Sequence, residues 1–227
     1  MNAQRRRGPK ERGRKGRRIA RATSTVDAPP YITRKIPVYE LASEELLALV
    51  EENTEIVLEE IGIDFRDDPQ ALQLFRDAGA LVEEERVRFP RGMCREIIQR
   101  NAPNEFTQHA RNPDRSVQIG GDHAVFVPAY GPPFVRDLDS GRRYATIEDF
   151  RNFTKLTWMS PALHHSGGTL CEPVDVPVNK RHLDMIYSHL RWSDKPFMGS
   201  VTAPERAKDT VDMAEIVFGR SFVDSHC

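Results

Sequence analysis

The chain has 227 residues, 39% of them hydrophobic and 30% charged, a balance ordinary for a soluble globular protein with one large core or two small ones. Of its 33 bases and 34 acids, residues 1–21 hold ten bases and one acid, which leaves 23 bases and 33 acids, a net of −10, for the rest. An acidic body argues against a dedicated nucleic-acid-binding domain, and no apolar run reaches the roughly 20 residues that span a bilayer.

Residues 1–30 read as a disordered basic arm, Arg- and Gly-rich and ending in Ala28-Pro29-Pro30. Such an arm would hold nucleic acid only non-specifically, through phosphate charge. No apolar segment follows its charges, so no secretory signal is expected. Cys94, Cys171 and Cys227 are too widely spaced for a disulfide framework or a zinc pattern, which favours reduced thiols and a cytoplasmic protein.

Residues 31–104 read as a helical cap with a small sheet. Ser43 is placed to cap a helix whose first turn carries Glu44 and Glu45, with Leu46, Leu47, Val50, Val57 and Ile61 at helical spacing and Gly62 as the stop. A second helix starts at Pro69 and ends at Gly79, and a third runs from Pro90 to Arg100. Between them Leu81-Val82 and Val87–Phe89 suggest a hairpin. Residues 105–145 hold short strands near 106–110, 117–119 and 124–127, then a rigid Gly/Pro-rich loop, Pro128–Phe134.

From 146 the pattern alternates. Thr146 and Asp149 form a capping box for a helix through Trp158. Residues 162–165 read as a strand, a helix follows Asn179, residues 196–201 read as a second strand, and Pro204 opens another helix. Ser221 onward suggests a further strand. Strand and helix in alternation predict an α/β architecture of parallel type. Two or three such units are visible where a (β/α)8 barrel has eight, so residues 146–227 read as the first part of a barrel in a truncated chain.

GxGxxG, Walker, HExxH and GxSxG signatures are absent, which leaves nicotinamide, P-loop, zincin and α/β-hydrolase chemistry without local support. His164 and His165 are neighbours on a predicted strand and point to opposite faces, so a shared metal ion is not expected. His182 and His189 fall on one side of a helix, as surface or boundary histidines. Tyr130, in the Gly/Pro loop, is the best placed of the aromatics to hold an ammonium group by cation–π attraction.

The runs Val125–Val135, Ala145–Phe150, Leu163–Gly168, Asn179–Asp184 and Ser193–Ser200, with the earlier Glu60–Asp64 and Ala78–Val82, resemble the trimethylamine methyltransferase family in order and density. The resemblance covers about residues 31–227. It implies a TIM barrel roughly twice this length that demethylates a tertiary or quaternary amine, such as trimethylamine or glycine betaine. The methyl would pass to the Co(I) centre of a separate corrinoid protein, so no cofactor binds this chain directly and the corrinoid (cobalamin) comes from a partner. Co(I) is the nucleophile, leaving the protein to orient the substrate and place charge. As a fragment the chain is expected to be inactive alone, and homo-oligomerisation stays open. The archaeal trimethylamine enzymes carry pyrrolysine in the later part of the barrel, beyond this chain.

Barrel active sites lie at the C-terminal ends of the strands. That rule selects His164 and His165 as catalytic candidates and Tyr130, Ser166, Gly167, Gly168, Ser200 and Thr202 as substrate-binding candidates. Two other readings stand beside it. One is a non-catalytic module that binds a corrinoid protein or a polyanion; the other is a different TIM-barrel one-carbon enzyme.

Overall fold

A computed structural model describes residues 28–226. They divide into two compact units, one of residues 34–106 with 120–122 and one of the remaining described chain. The architecture is mixed α/β, with seven α-helices and three small sheets among the described residues. No described helix is long and apolar enough to cross a membrane. The basic arm, apart from its last three residues, lies outside the described residues.

In the first unit the local signals act as read. The Ser43 hydroxyl accepts the Leu46 N–H at 3.2 Å and so caps α1 (Glu44–Ile56), with Glu44 and Glu45 in its first turn. A π-helical turn, Val57–Ile61, carries the chain to Gly62 at φ 74°. A Cβ there would stand 2.4 Å from the Val87 carbonyl oxygen, so only glycine lets the sheet approach. Pro69 opens α2 (Pro69–Ala78) behind Asp68, whose carboxylate accepts the Ala71 N–H at 3.0 Å.

β2 (Ile63–Asp64), β3 (Leu81–Glu83) and β4 (Arg86–Arg88) form an antiparallel sheet in the order β2-β4-β3. Leu72, Ala80, Val87 and Phe89 make the core, and the Phe75 ring meets Phe65 at 4.5 Å and Phe89 at 5.3 Å. α1 stays at its margin. Glu52 and Glu59 each pair with Arg91 at 2.8 Å, and Glu55 accepts the Gly92 N–H at 2.7 Å ahead of α3 (Met93–Asn101). The apolar stripe of α1, with Leu46, Leu47 and Val50, remains exposed because its acidic edge faces the sheet unit instead.

A four-stranded sheet has the order β1-β7-β6-β5; β1 (Ile32–Thr33), β7 (His123–Ala124), residues 107–108 of β5 (Glu105–Gln108) and residues 117–119 of β6 (Val117–Gly120) fall in the second unit. The predicted loop ends sooner than expected. Phe134 opens β8 (Phe134–Asp137), which pairs antiparallel with β9 (Gly141–Tyr144) through a turn in which Asp137 accepts the Asp139 N–H at 3.0 Å.

Thr146 and Asp149 do form a capping box at the start of α4 (Ile147–Met159), and Arg143 clamps the same carboxylate at 2.6 and 2.8 Å. α5 (Arg181–Trp192), α6 (Pro204–Phe218) and α7 (Arg220–His226) follow. Val135, Ala145, Phe150, Leu170, Cys171 and Met185 pack as the core of this unit.

Three expected strands differ. Residues 221–226 are helical, because Gly219 starts a new turn whose carbonyl accepts from Phe222 and Val223. Residues 162–165 and 196–201 are extended segments without a regular ladder. They are nonetheless joined: Ser166 N–H donates to Pro196 O at 2.8 Å and Met198 N–H to Gly167 O at 2.9 Å. Residue numbers rise together in those two bonds, which makes the pairing parallel. His164 N–H reaches Phe126 O at 3.0 Å on the other side.

Candidate functional site

The segment 164–168 is buried throughout and its alternate side chains go to opposite sides. Ser166 turns to α5, where its hydroxyl donates to His189 Nδ1 at 2.8 Å. His189 Nε2 in turn donates to Gly168 O at 2.8 Å. The ring stacks on Phe197 at 5.6 Å and meets the edge of Phe150 at 5.3 Å. Burial pushes this imidazole down to about 4, against the pull of the Gly168 carbonyl. The pair resembles a nucleophile and its base. With Ser166 and His189 both fully enclosed, however, it ties a segment to a helix and reaches no substrate.

His165 is committed in the same way. Its Nδ1 accepts the Gly167 N–H at 2.8 Å, so Nε2 carries the proton and donates to Gln108 Oε1 at 3.0 Å. Burial, with His189 nearby, pushes it down to about 4 as well. Gln108 passes the connection on by donating to Phe197 O at 3.0 Å. A neutral ring with both nitrogens occupied holds the backbone of Gly167 and does not shuttle protons.

His164 belongs elsewhere. Its Nδ1 accepts the Phe126 N–H at 2.9 Å and its ring stacks on Phe126 at 5.7 Å. Burial and Lys195 lower its pKa. The ring lines a cavity of about 360 Å³ with Arg115, Trp158, Ser160 and Lys195. Those last residues precede the two extended segments, so the cavity lies at their N-terminal ends. Lys195 itself is buried, pushed down to about 8 first by burial and then by Arg115. Its ammonium donates to Thr157 O at 2.7 Å, Ser160 O at 2.9 Å and Leu163 O at 2.6 Å, a cation set on the C-terminus of α4.

The opposite, C-terminal ends gather Tyr130, Gly168, Thr169, Met198 and Ser200. The Tyr130 hydroxyl points to Met198 Sδ at 3.7 Å, and Thr169 Oγ1 donates to Ser200 Oγ at 3.2 Å. Gly131 N–H donates to Thr169 O at 2.7 Å, which fastens the Gly/Pro loop over the segment end. A Cβ on Gly168 would stand 3.5 Å from Met198 Cβ and 3.7 Å from Tyr130 Cε1, so glycine keeps the floor of this cluster low. Gly167 has φ 90°, and a Cβ on it would meet Leu170 at 2.8 Å. Burial raises the Tyr130 phenol, which keeps it neutral.

Three other aromatic rings, Phe134, Trp158 and Trp192, already hold cations of this chain. Arg142 lies over Phe134 at 3.8 Å, Arg115 over Trp158 at 5.8 Å, and Lys155 and Arg191 over Trp192 at 4.7 and 4.9 Å. Tyr130 makes no such contact among the described residues and is 47% exposed, so its face is open to a ligand. Thr202 does not join the cluster; it is exposed and its hydroxyl accepts from Arg206 in α6.

Sequence reasoning missed His182 and His189 as buried groups. His182 Nε2 meets Asp209 at 2.8 Å, joining α5 to α6, and its Nδ1 has no partner among the described residues. It also missed Gln108 and Lys195. No local signal marks any of the four, since their partners lie more than 20 residues away. No group of three or more His, Cys, Asp or Glu among the described residues could hold a metal ion.

The arrangement sets an aromatic face, Tyr130, beside the Gly168 backbone, with His165 and His189 spent on holding that backbone still. The chain belongs to the trimethylamine methyltransferase family, whose model matches residues 10–227. It is also similar to a glycine betaine methyltransferase of Desulfitobacterium hafniense (strain Y51), with 48% identity over 184 residues. That match covers 81% of this chain and 38% of the relative, so the chain spans well under half of that protein's length.

Proposed function

We propose that this chain supplies the first part of the (β/α)8 barrel of a methyltransferase that takes a methyl group from a tertiary or quaternary amine. Trimethylamine and glycine betaine are the substrate types favoured. The acceptor is the Co(I) centre of a corrinoid protein. Residues 1–227 alone are not expected to turn over. The observation that carries the reading is the cluster of Tyr130, Gly168, Met198 and Ser200 at the C-terminal ends of two parallel segments in a chain of this family.

The residues fit a corrinoid presented from outside and not one ligated here. His165 and His189 have both ring nitrogens engaged, and His164 lines the cavity at the other end. When bound, the corrinoid supplies the nucleophile for the methyl carbon. The chain's own task is orientation. An ammonium nitrogen would sit against the open face of Tyr130, with Gly167 and Gly168 letting the backbone come close and Ser200 beside it. A quaternary nitrogen is already charged, so the amine can depart with the C–N electron pair and no general acid is needed. That suits a cluster whose nearest imidazoles are neutral. His165 acts as a positioning residue through the Gly167 N–H.

The test is methyl transfer to Co(I) corrinoid, followed by absorbance, using the polypeptide as its gene encodes it with its cognate corrinoid protein. Glycine betaine, trimethylamine and related amines would be offered in turn. Replacing Tyr130 by Ala should lower kcat/KM about 2- to 30-fold, the range of one cation–π contact, while Tyr130→Phe should retain most activity. Folded protein that methylates corrinoid with none of these amines would refute the proposal.

A further inference from the structure

The ends of α4 and α5 that lie away from the Tyr130 cluster frame a second feature, a groove of about 450 Å³ whose walls include Trp158, Trp192, Arg111, Lys155 and Arg191. Its chemistry is unusual for this acidic body. Trp158 and Trp192 are the only two tryptophans of the chain, and they are 42% and 36% exposed. Met159, 69% exposed, extends the apolar surface beside them.

The charges of the groove do not cancel. Asp194 is its acid, and that carboxylate is already taken up by Trp158 Nε1 at 2.8 Å and Arg115 at 3.3 Å. Lys155 has a loose partner, Glu148 at 3.6 Å. Arg191 and Arg111 form no ion pair with a carboxylate among the described residues. Arg111 spends one N–H on Ser193 O at 2.9 Å and keeps the rest of its fork. Lys155, which also donates to Asn152 Oδ1 at 3.2 Å, and Arg191 are held over the Trp192 ring, so two cations are ordered in advance.

Exposed Trp, Met and Arg together are the composition of energetically dominant interface positions. The cationic rim asks for carboxylates or phosphates opposite. The net of −10 carried by everything beyond residue 21 repels a nucleic-acid backbone, with its charge on every nucleotide, more strongly than a protein segment carrying a few carboxylates among apolar side chains. We infer that the groove between the ends of α4 and α5 is a docking surface for an acidic segment of a partner protein. Carboxylates of that segment meet Arg111, Lys155 and Arg191, and its apolar side chains meet Trp158 and Trp192. The surface is separate from the Tyr130 cluster, and its test does not depend on methyl transfer.

Both tryptophans border the groove, so their emission reports on it. Trp158 also lines the Lys195 cavity beside Pro29 and Pro30, so the titration is repeated with Trp158→Phe, which leaves Trp192 as a reporter of the groove. The chain would be titrated with an amphipathic peptide of Glu and Leu, with the same peptide carrying Lys for Glu, and with oligouridylate. The expected result is a saturable change in emission with the Glu peptide only, weakened about tenfold or more by Arg191→Glu and by added salt. Arg191 is exposed, so the substitution should leave the fold intact; Lys155→Glu is the second variant, and circular dichroism checks both. No emission change with the Glu peptide, or one indifferent to both reversals, would overturn the inference. So would preferential binding of oligouridylate, or self-association by sedimentation that Arg191→Glu abolishes, since a nucleic acid or a second copy would then be the occupant.

Discussion

Acid should loosen the second unit as pH falls below 6.5, and His165 should account for the larger share. Both His165 and His189 are pushed from an ordinary imidazole value of 6.5 to about 4 by burial. Between pH 4 and 6.5 the unfolded chain therefore binds protons that the folded chain refuses. Stability is complete above pH 6.5 and falls as pH drops toward 4. Each group should cost about 2 kcal/mol between pH 7 and 5, because a one-proton difference between the two states is worth about 1.4 kcal/mol for every tenfold change in proton concentration.

The two rings are not equivalent. His189 Nδ1 accepts from a serine hydroxyl, which can rotate and accept from a protonated ring instead. His165 Nδ1 accepts from the Gly167 N–H, which cannot reverse. Urea unfolding followed by tryptophan emission at several pH values between 7.5 and 5 reads this unit, because Trp158 and Trp192 both belong to it. His165→Asn keeps an acceptor near the Gly167 N–H without a titrating group. It should remove at least half of the acid-induced loss. If the variant loses as much stability between pH 7 and 5 as the parent chain, the assignment of the acid sensitivity to His165 is wrong.

Lys195→Met should destabilise the second unit by about 3 kcal/mol in the same denaturant assay, because three carbonyls lose a charged donor and only cavity water can replace it. Gly167→Ala should cost about 1–3 kcal/mol, read as a lower Tm, since φ 90° and a contact 2.8 Å from Leu170 oppose any Cβ. Cys171 is fully buried and its thiol is pushed up to about 12, chiefly by burial, so a thiol reagent at pH 8 should modify it only after unfolding. Modification of Cys171 in the native chain would show that the core around Phe150 opens readily.

What the sequence revealed, and what it concealed, follows from the reach of each interaction. Ser43, Pro69 and the Thr146–Asp149 box were legible because a cap is satisfied within three or four residues. The β8–β9 hairpin was not, since Phe134 follows two prolines and its partner Tyr144 lies beyond an Asp-rich turn. The segments around 163–168 and 196–201 were recognisable as extended, but their neighbour lies some 30 residues away and supplies too few bonds for a regular ladder. In the candidate site Tyr130 stood out because its Gly/Pro loop has its own punctuation, and Gly167 and Gly168 because they end an extended run. Burial of His189 was hidden, because it depends on Ser166 and the Gly168 carbonyl, which precede it by more than 20 residues.

Lys195 bears on how the chain acquires this structure while it is being made. The last turn of α4 and the loop after it emerge from the ribosome well before residue 195 does. Until then the carbonyls of Thr157, Ser160 and Leu163 have only water to accept from. The spacing between α4 and the extended segment that begins at residue 196 is thus sealed by a cation that arrives late, and synthesis itself dictates that the end of α4 waits for Lys195.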